Sequence, residues 1–202
     1  MTNLNEDLNS KLGKVIGVGT EKRCYLNLYD NGRCLKISDK KNAAQIKREI
    51  KYFKFLNKRK IDAPFIPKFY GEFETDNLIG YEQECFLEIM QGGVCTRACP
   101  LSEYILHSNY SENEIKQRLE EEIKKVMIDK NIICCDLHEG NVYFVEQNST
   151  KKFVVIDGFG TTEFIPISQY LTFFCKKKIE RQWLKFEERL KKFFNNVNKI
   201  HE

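Results

Sequence analysis

The sequence predicts an α+β fold, with a small antiparallel β-sheet and one helix in the N-terminal half and a short, mostly helical C-terminal half. The first half alternates short apolar runs with glycine and asparagine turns, which is typical of antiparallel strands. One stretch, residues 42–58, instead repeats apolar residues at helical spacing: Ile46, Ile50, Phe53 and Leu56. Beyond Pro100 helical stripes dominate, so the two halves differ in class.

At 202 residues the chain is long enough for two small lobes that share a cleft. We predict an N-terminal lobe over residues 1–91 and a C-terminal lobe over residues 92–202. No internal repeat or low-complexity segment occurs, and no linker is long enough to separate independently folding domains. The two lobes are therefore expected to form one unit.

The composition is that of an ordinary globular protein, with 42% hydrophobic and 31% charged residues. The net charge of +4 is mild and forms no dense basic stripe, so we expect no nucleic-acid partner. The N-terminus is polar and acidic, which argues against a secretory signal peptide, and no apolar run is long enough to cross a bilayer. A cytoplasmic protein without a membrane span is expected.

Eight cysteines raise the question of disulfide bonds or zinc. Cys134 and Cys135 are adjacent, and Cys95 and Cys99 do not have CxxC spacing, so with three histidines a structural zinc site is disfavoured. Several cysteines lie in apolar runs and the chain lacks an export signal. Reduced, mostly buried thiols are the better interpretation.

Two glycines, Gly17 and Gly19, lie between an apolar run and a return to apolar and aromatic residues. This pattern predicts a strand, a glycine turn and a second strand. A backbone without side chains can approach phosphate groups closely. A plain hairpin turn explains the same glycines at least as often, so the pair gains weight only from residues further along the chain.

Lys36 and Glu49 come after the glycine turn. The Asn31-Gly32 turn precedes a strand that contains Lys36, and Glu49 lies in the predicted helix beside Ile50. A lone strand lysine is usually solvated, but one hairpin after a Gly-x-Gly turn it is placed to bind phosphates. We predict that Glu49 pairs with it, and the alternative is a surface ion pair within the helix.

The stretch over residues 80–90 predicts a further strand, which runs into Gly92 and Gly93. A strand that ends in an extended segment and two glycines is suited to a hinge between lobes, where backbone groups would hydrogen-bond an adenine. A simple connecting loop is compatible with the same residues.

Three oxygen-bearing side chains lie further along the chain, at strand ends or turns. Asp136 comes after an apolar run, Asn141 lies five residues later, and Asp157 ends a second apolar strand beside a glycine. The spacing Asp-Leu-x-x-x-Asn followed by Asp-Gly is typical of the catalytic and magnesium-binding loops of protein kinases. Hard oxygen ligands at Asn141 and Asp157 suit magnesium, and Asp136 would accept a proton from the acceptor hydroxyl.

The helical segments around these loops are assigned no chemistry. We predict a short helix over residues 101–106, a longer one over 112–130 and an extended stretch over 161–167. Two amphipathic helices are expected after Ser168. Their lysines at 176–178 fit an acidic or phosphate-bearing partner, but a solvated helix face is the favoured interpretation.

Taken together, the ordered motifs resemble a protein kinase fold, and almost the full length resembles the YrbL family of bacterial proteins, named for a PhoP regulatory network. The resemblance is carried by the loop around Asp136 and by residues 17–25, 34–37, 47–52, 66–71, 73–76, 131–133, 164–167 and 181–183. It implies a small bacterial kinase-like protein whose physiological substrate the family name does not supply. In such a fold ATP phosphates would lie under the Gly17–Gly19 backbone and bind Lys36.

Several departures set the chain apart from protein kinases. Cys134 and Cys135 stand where protein kinases have His-Arg, so the arginine that senses a phosphorylated activation segment is absent, and no Ala-Pro-Glu follows Asp157. The loop 136–141 resembles small-molecule kinases such as aminoglycoside, choline and lipopolysaccharide sugar kinases. His138 is expected either near the γ-phosphate or as a structural turn residue.

Two functions of different class are compatible with these motifs. The first is an atypical phosphotransferase that uses ATP and Mg²⁺ to phosphorylate a hydroxyl of a protein or small molecule. The second is a pseudokinase or regulatory module that binds nucleotide or a protein partner. The combined presence of Lys36, Asp136, Asn141 and Asp157 favours the enzyme, because binding alone does not require a base at Asp136.

Overall fold

Two antiparallel sheets and a largely helical C-terminal region make up the fold. The structure, a computed structural model, describes residues 4–86, 89–91, 94–147, 150–163 and 165–201. In this part of the chain no helix is both long and apolar enough to span a membrane.

The first sheet has five strands in the order β1-β2-β3-β5-β4 and is antiparallel throughout. Its strands are β1 (Leu12–Val18), β2 (Arg23–Asn27), β3 (Asp30–Asp39), β4 (Phe69–Glu74) and β5 (Leu78–Glu84). Strand β3 is the middle strand of this sheet, and its run from Cys34 to Ser38 is buried on both faces. This places Lys36 between Cys24 of β2 and Tyr81 of β5.

Two helices flank this sheet. Helix α1 (Leu4–Lys11) precedes it, and a short 3₁₀ turn (Lys40–Asn42) leads from β3 into α2 (Ala44–Lys58). The buried face of α2 repeats at helical spacing and includes Ile46, Glu49, Ile50, Tyr52, Phe53 and Leu56. Phe53 stacks on Phe69 of β4 with ring centroids 5.3 Å apart, which packs the helix onto the sheet.

The second sheet has four strands in the order β6-β7-β8-β9. They are β6 (Ile89–Gln91), β7 (Val94–Pro100), β8 (Val142–Gln147) and β9 (Thr150–Val155). Strand β7 pairs with β8 across a long stretch of helical chain, with Pro100 opposite Tyr143. The loop from residue 132 to residue 141 therefore enters β8 next to the end of β7.

The remaining elements are helical: α3 (Leu101–His107), α4 (Glu112–Leu119), a π-helical turn (Glu120–Lys124), α5 (Lys125–Lys130), α6 (Ile167–Tyr170) and α7 (Thr172–His201). Helix α4 begins with a capping box in which Ser111 and Glu114 satisfy each other's backbone N–H groups. Asn131 follows the last residue of α5, and its φ of 54° turns the chain into the loop before Asp136.

One core joins the two halves of the chain. The largest apolar cluster combines residues of α2 with Trp183, Phe186 and Leu190 of α7, all at most 1% exposed. Within it the Ile133 N–H donates to the Tyr52 hydroxyl over 2.6 Å. Helix α2 is thereby held at a fixed distance from the loop that carries Asp136.

The predicted α+β class is confirmed, with antiparallel strands first and a helical C-terminal part. The two-lobed kinase arrangement and the boundary at residues 91 and 92 stay predictions. The C-terminal half contains more strand than expected, because β7 pairs with β6 and β8 rather than forming a connecting loop. Part of the predicted hinge, residues 87–88 and 92–93, lies outside the described residues.

Three predictions for the C-terminal half differ in detail from the structure. The stretch 112–130 is helical, but a π-helical turn interrupts it. Residues 161–163 form no regular strand, Phe164 lies outside the described residues, and α6 begins at Ile167. The two helices expected after Ser168 divide the chain unequally: α6 ends at Tyr170 after four residues, and α7 is a helix of 30 residues.

A Tyr52→Phe substitution tests the link between α2 and the Asp136 loop. It leaves the buried Ile133 N–H without its acceptor, so we expect a loss of about 1–3 kcal/mol in the free energy of unfolding, measured by denaturant titration. Tyr29→Phe at the exposed β2–β3 turn is the control and is expected within about 0.5 kcal/mol of the unaltered protein. Equal stability of the two variants would contradict this role for Tyr52.

Candidate functional site

The cleft that receives most of the predicted site residues has a volume of about 310 Å³. This is within the size range of small-molecule sites. Five predicted residues line it: Gly17, Gly19, Lys36, Asn141 and Asp157. Its other lining residues come from both sheets and include Lys22, Cys24, Cys34, Tyr143, Ile156 and the segment 83–86.

Glu49 is the most completely enclosed charged residue of this region, with no exposed surface. Its carboxylate accepts hydrogen bonds from four groups: Lys22 Nζ at 2.6 Å, the Tyr81 hydroxyl at 2.8 Å, Gly158 N at 3.1 Å and Gln45 Nε2 at 3.2 Å. These donors come from the glycine turn, from β5, from the Asp157 loop and from α2 itself. The carboxylate therefore joins four separate segments.

Asp157 lies beside Glu49 and shares three of its four donors. Its Oδ1 accepts from Lys22, from Gly158 N at 2.8 Å and from Gln45 Nε2 at 3.3 Å. Lys36 Nζ lies 3.8 Å from the same oxygen and donates to the Ile156 carbonyl over 2.6 Å. Two lysines and two carboxyl groups thus form one cluster at the base of the cleft.

The pairing inside this cluster differs from the prediction. Among the described residues, the direct ion pair of Glu49 is with Lys22, whereas Lys36 pairs with Asp157. The reason is the turn after β1, where Gly19 N donates to the Lys22 carbonyl over 2.8 Å and folds the chain back. This turn directs Lys22 inward, where only 8% of it is exposed.

Lys22 was missed because its sequence context indicates a solvated turn. Glu21 and Arg23 on either side are charged and exposed. The only available signal was its position three residues after Gly19 in a turn already assigned to phosphates. Neither periodicity nor spacing distinguishes such a lysine from a surface one.

Protonation of the cluster is determined by burial and by these contacts. Burial alone lowers the pKa of Lys36, but the carboxylates of Asp157 and Glu49 outweigh it and the pKa is raised. Burial opposes ionisation of Asp157, yet Lys36, the neighbouring Glu49 and Lys22 hold its pKa far below the usual range. Burial, with Asp157 nearby, raises the pKa of Glu49. Asp157 is therefore the firmly ionised partner of the two lysines.

Asp136 and Asn141 are held by a network between two loops. Cys135 N donates to the Gly158 carbonyl at 2.8 Å, and Ile156 N donates to the Asn141 carbonyl at 2.9 Å. Asn141 Nδ2 in turn donates to the Asp136 carbonyl oxygen at 3.1 Å and to Asp136 Oδ2 at 3.4 Å. The Asp136 side chain remains half exposed, so it is accessible to a molecule entering from solvent.

Gly158 is required for the close approach of these loops. Its φ is +84°, and a Cβ atom there would lie 2.7 Å from the Asp136 Cβ. Any larger residue would both strain the backbone and displace Asp136. The Asp-Gly pair of the sequence is thus explained by steric contact as well as by chemistry.

His138 has the turn role that was one of its two expected roles. Its Nδ1 accepts a hydrogen bond from Gly140 N at 3.1 Å, and its Nε2 lies 3.9 Å from Asp136 Oδ2. The imidazole therefore stabilises the turn between Asp136 and Asn141, and its Nε2 atom lies near the Asp136 carboxylate.

Part of the backbone at the predicted hinge already forms hydrogen bonds with other segments of the chain. Glu84 N donates to the Lys68 carbonyl and Cys85 N donates to the Gly32 carbonyl, each at 2.8 Å. These two N–H groups are therefore not free for a ligand, although residues 83–86 line the cleft. The remainder of the predicted hinge lies outside the described residues.

The described residues contain no group of three or more His, Cys, Asp or Glu side chains placed to hold a metal by themselves. Asn141 and Asp157 instead offer one amide and one carboxylate oxygen in the same cleft. Such a sparse set of hard donors fits an ion like magnesium, which retains water and takes further ligands from substrate phosphates.

Comparison with known proteins identifies the class. The family model described as PhoP regulatory network protein YrbL matches residues 8–191, so the chain belongs to the YrbL family. Proteins named YrbL from Escherichia coli (strain K12) and Shigella flexneri are each 28% identical over 177 residues. Each alignment covers 85% of this chain and 82% of the relative.

A double-mutant cycle tests the Lys22–Glu49 pair. We expect Lys22→Met and Glu49→Gln to couple by about 1–3 kcal/mol in the free energy of unfolding, because the two groups are in direct buried contact. Lys36→Met is expected to couple less with Glu49→Gln. A stronger coupling for Lys36 would restore the pairing expected from the sequence. The exposed Lys54–Glu72 pair is the control and is expected to couple weakly.

Proposed function

We propose that this protein has a two-lobed, protein-kinase-like fold and transfers the γ-phosphoryl group of ATP to a hydroxyl acceptor. The single observation that carries the proposal is the cleft in which Gly17, Gly19, Lys36, Asn141 and Asp157 meet. These residues are spread over most of the chain, and their order matches the parts of a kinase. A chance hairpin and a chance surface lysine would have no reason to face the same carboxylate.

The topology supports the same proposal. Helix α2 lies between β3 and β4 in the chain and directs Glu49 toward the lysine-bearing strand β3. The Asp136 loop and the Asp157 loop are joined by backbone hydrogen bonds on the other side of the cleft. The nucleotide would lie between them, with the Gly17–Gly19 backbone over its phosphates and the ammonium group of Lys36 against their charge.

Asn141 and Asp157 would hold Mg²⁺, which when bound neutralises charge on the transferring phosphoryl group. In the structure Lys22 donates to Asp157 Oδ1. Because two cations repel each other at one oxygen, Lys22 would have to release that atom for it to serve as a metal ligand. Lys22 lines the cleft, so its ammonium group would then be available to the phosphates of the nucleotide.

Asp136 would orient the acceptor hydroxyl and accept its proton. Its half-exposed carboxylate and the Asn141 amide that donates to it are suited to this task. The acceptor is a hydroxyl of a protein or of a small molecule such as a sugar.

The second candidate function is a regulatory nucleotide-binding module without transfer. One observation favours it: Lys22 forms ion pairs with both Glu49 and Asp157. An active site would need Glu49 to pair with Lys36 and Asp157 to bind the metal. The same cleft would then bind a nucleotide as a signal and carry no chemistry at Asp136.

Nucleotide binding is tested by thermal unfolding. At 100 times its Kd, ATP with magnesium is expected to stabilise the protein by about 2.7 kcal/mol, which corresponds to a rise in Tm of roughly 5–10 °C. Asp157→Ala should remove this rise, and so should a chelator. Glu146→Ala is the matched control and should retain the rise in Tm. Glu146 lies on β8, pairs with Lys151 of β9 and does not line the cleft. An unaltered Tm with ATP and magnesium would contradict both candidate functions.

Phosphotransfer is tested by magnesium-dependent ATP hydrolysis and autophosphorylation. Asp136→Asn is expected to lower the turnover rate by about 100-fold or more, since it removes the base. The same variant should keep the thermal shift caused by ATP, because Asp136 does not hold the nucleotide. Binding without turnover in the unaltered protein would favour the regulatory module over the enzyme.

A further inference from the structure

The segment that follows the Asp157 loop has an inverted pattern of burial. Ser168 and Gln169 in α6 are only 3% and 6% exposed. Six large apolar side chains around them are 46–64% exposed: Ile165, Ile167, Tyr170, Leu171, Phe173 and Phe174. We call these six residues the 165–174 patch. The rings of Phe173 and Phe174 are in edge contact, with centroids 5.6 Å apart. Clustered exposed apolar residues mark interaction surfaces.

Buried polar contacts fix this orientation. Lys178 is 5% exposed and donates to Thr161 and to Glu163 Oε1, the latter over 2.8 Å. Ser168 Oγ donates to the other oxygen of Glu163 at 2.7 Å. Because these polar groups are turned inward, the apolar residues between them are turned outward. The exposure of the patch is therefore a consequence of the fold.

Exposed lysines follow the patch on α7, while the nearest carboxylate in the sequence, Glu163, is paired with Lys178. Lys176 and Lys177 are exposed directly after Phe174, and Lys177 Nζ lies 4.6 Å from the centroid of the Phe173 ring. No Asp or Glu occurs in the sequence between Glu163 and Glu180. An apolar surface with a basic border matches a partner that is apolar inside and negative at its surface.

We infer that the 165–174 patch binds the surface of an anionic lipid bilayer. Phenylalanine, leucine and isoleucine enter the boundary between headgroups and acyl chains, tyrosine lies at headgroup level, and lysines reach the lipid phosphates. A second copy of the chain is a poorer partner, because a two-fold contact would bring the same lysines toward each other. Membrane binding of this kind does not depend on phosphotransfer in the cleft.

Vesicle co-sedimentation tests the inference with the full chain. Vesicles of phosphatidylglycerol and phosphatidylcholine in equal amounts are compared with vesicles of phosphatidylcholine alone. The protein is expected to sediment with the anionic vesicles and to lose affinity as salt is raised, because part of the attraction is electrostatic.

Two double variants separate the apolar and basic parts of the surface. Phe173→Ser with Phe174→Ser is expected to abolish sedimentation with the anionic vesicles. Lys176→Gln with Lys177→Gln should weaken binding to anionic vesicles about thirtyfold at low salt, or about fivefold for each lysine. All four side chains are exposed, so circular dichroism spectra should match the unaltered protein.

Two controls carry the same kinds of change elsewhere. Lys191→Gln with Lys192→Gln removes two exposed lysines of the same helix, about 26 Å along its axis from Phe174. Tyr29→Ser removes an exposed aromatic ring from the β2–β3 turn. Both controls are expected to bind anionic vesicles like the unaltered protein.

Binding that falls with salt and is lost selectively in the two patch variants supports the inference. Failure of the unaltered protein to bind anionic vesicles overturns it, and so does undiminished binding by Phe173→Ser with Phe174→Ser. A dimer in sedimentation velocity that this variant dissolves, together with no vesicle binding, would identify the patch as an interface between copies and would also overturn it.

Discussion

The buried carboxyl group of Glu49 is the contact on which the arrangement of the cleft depends. A carboxylate removed from water costs several kcal/mol unless hydrogen bonds and opposite charge compensate. Here the compensation comes from Lys22, Tyr81, Gly158 and Gln45. Because these groups belong to different segments, satisfying one carboxyl group places the glycine turn, β5, α2 and the Asp157 loop relative to each other.

The same cluster determines how the cleft can respond to a ligand. With both carboxyl groups ionised, the formal charges of Lys22, Lys36, Glu49 and Asp157 cancel. Lys36 belongs to the central strand β3 and is bonded to the Ile156 carbonyl, so its position is fixed by the sheet. Lys22 belongs to a turn at the edge of the sheet. Lys36 is therefore held by the regular sheet, whereas Lys22 is held by its side-chain ion pairs with Glu49 and Asp157.

Much of the fold and part of the site could be predicted because the signals are local. The Asp136–Asn141 spacing, the Asp-Gly pair and the helical period of α2 each lie within a short stretch of sequence. The second sheet could not be predicted in the same way, since Pro100 pairs with Tyr143 across several helices. The Lys22–Glu49 contact spans 27 residues and joins a turn to a helix, so it is a property of the tertiary structure.

The corrections at Lys22 and at Lys178 have one physical cause. Both lysines lie among charged neighbours, yet each is buried against a carboxylate and a second acceptor. The lysines at 176–178 were predicted to lie on a solvated helix face, and no role was predicted for Lys22. A segment with a buried ion pair turns the charged side chain inward. The spacing of its apolar residues alone does not predict this orientation. At Lys22 this turns a loop lysine into the cleft. At Lys178 it turns Ser168 and Gln169 inward and leaves Phe173 and Phe174 to face outward, so an apolar stripe that resembles core in the sequence becomes surface.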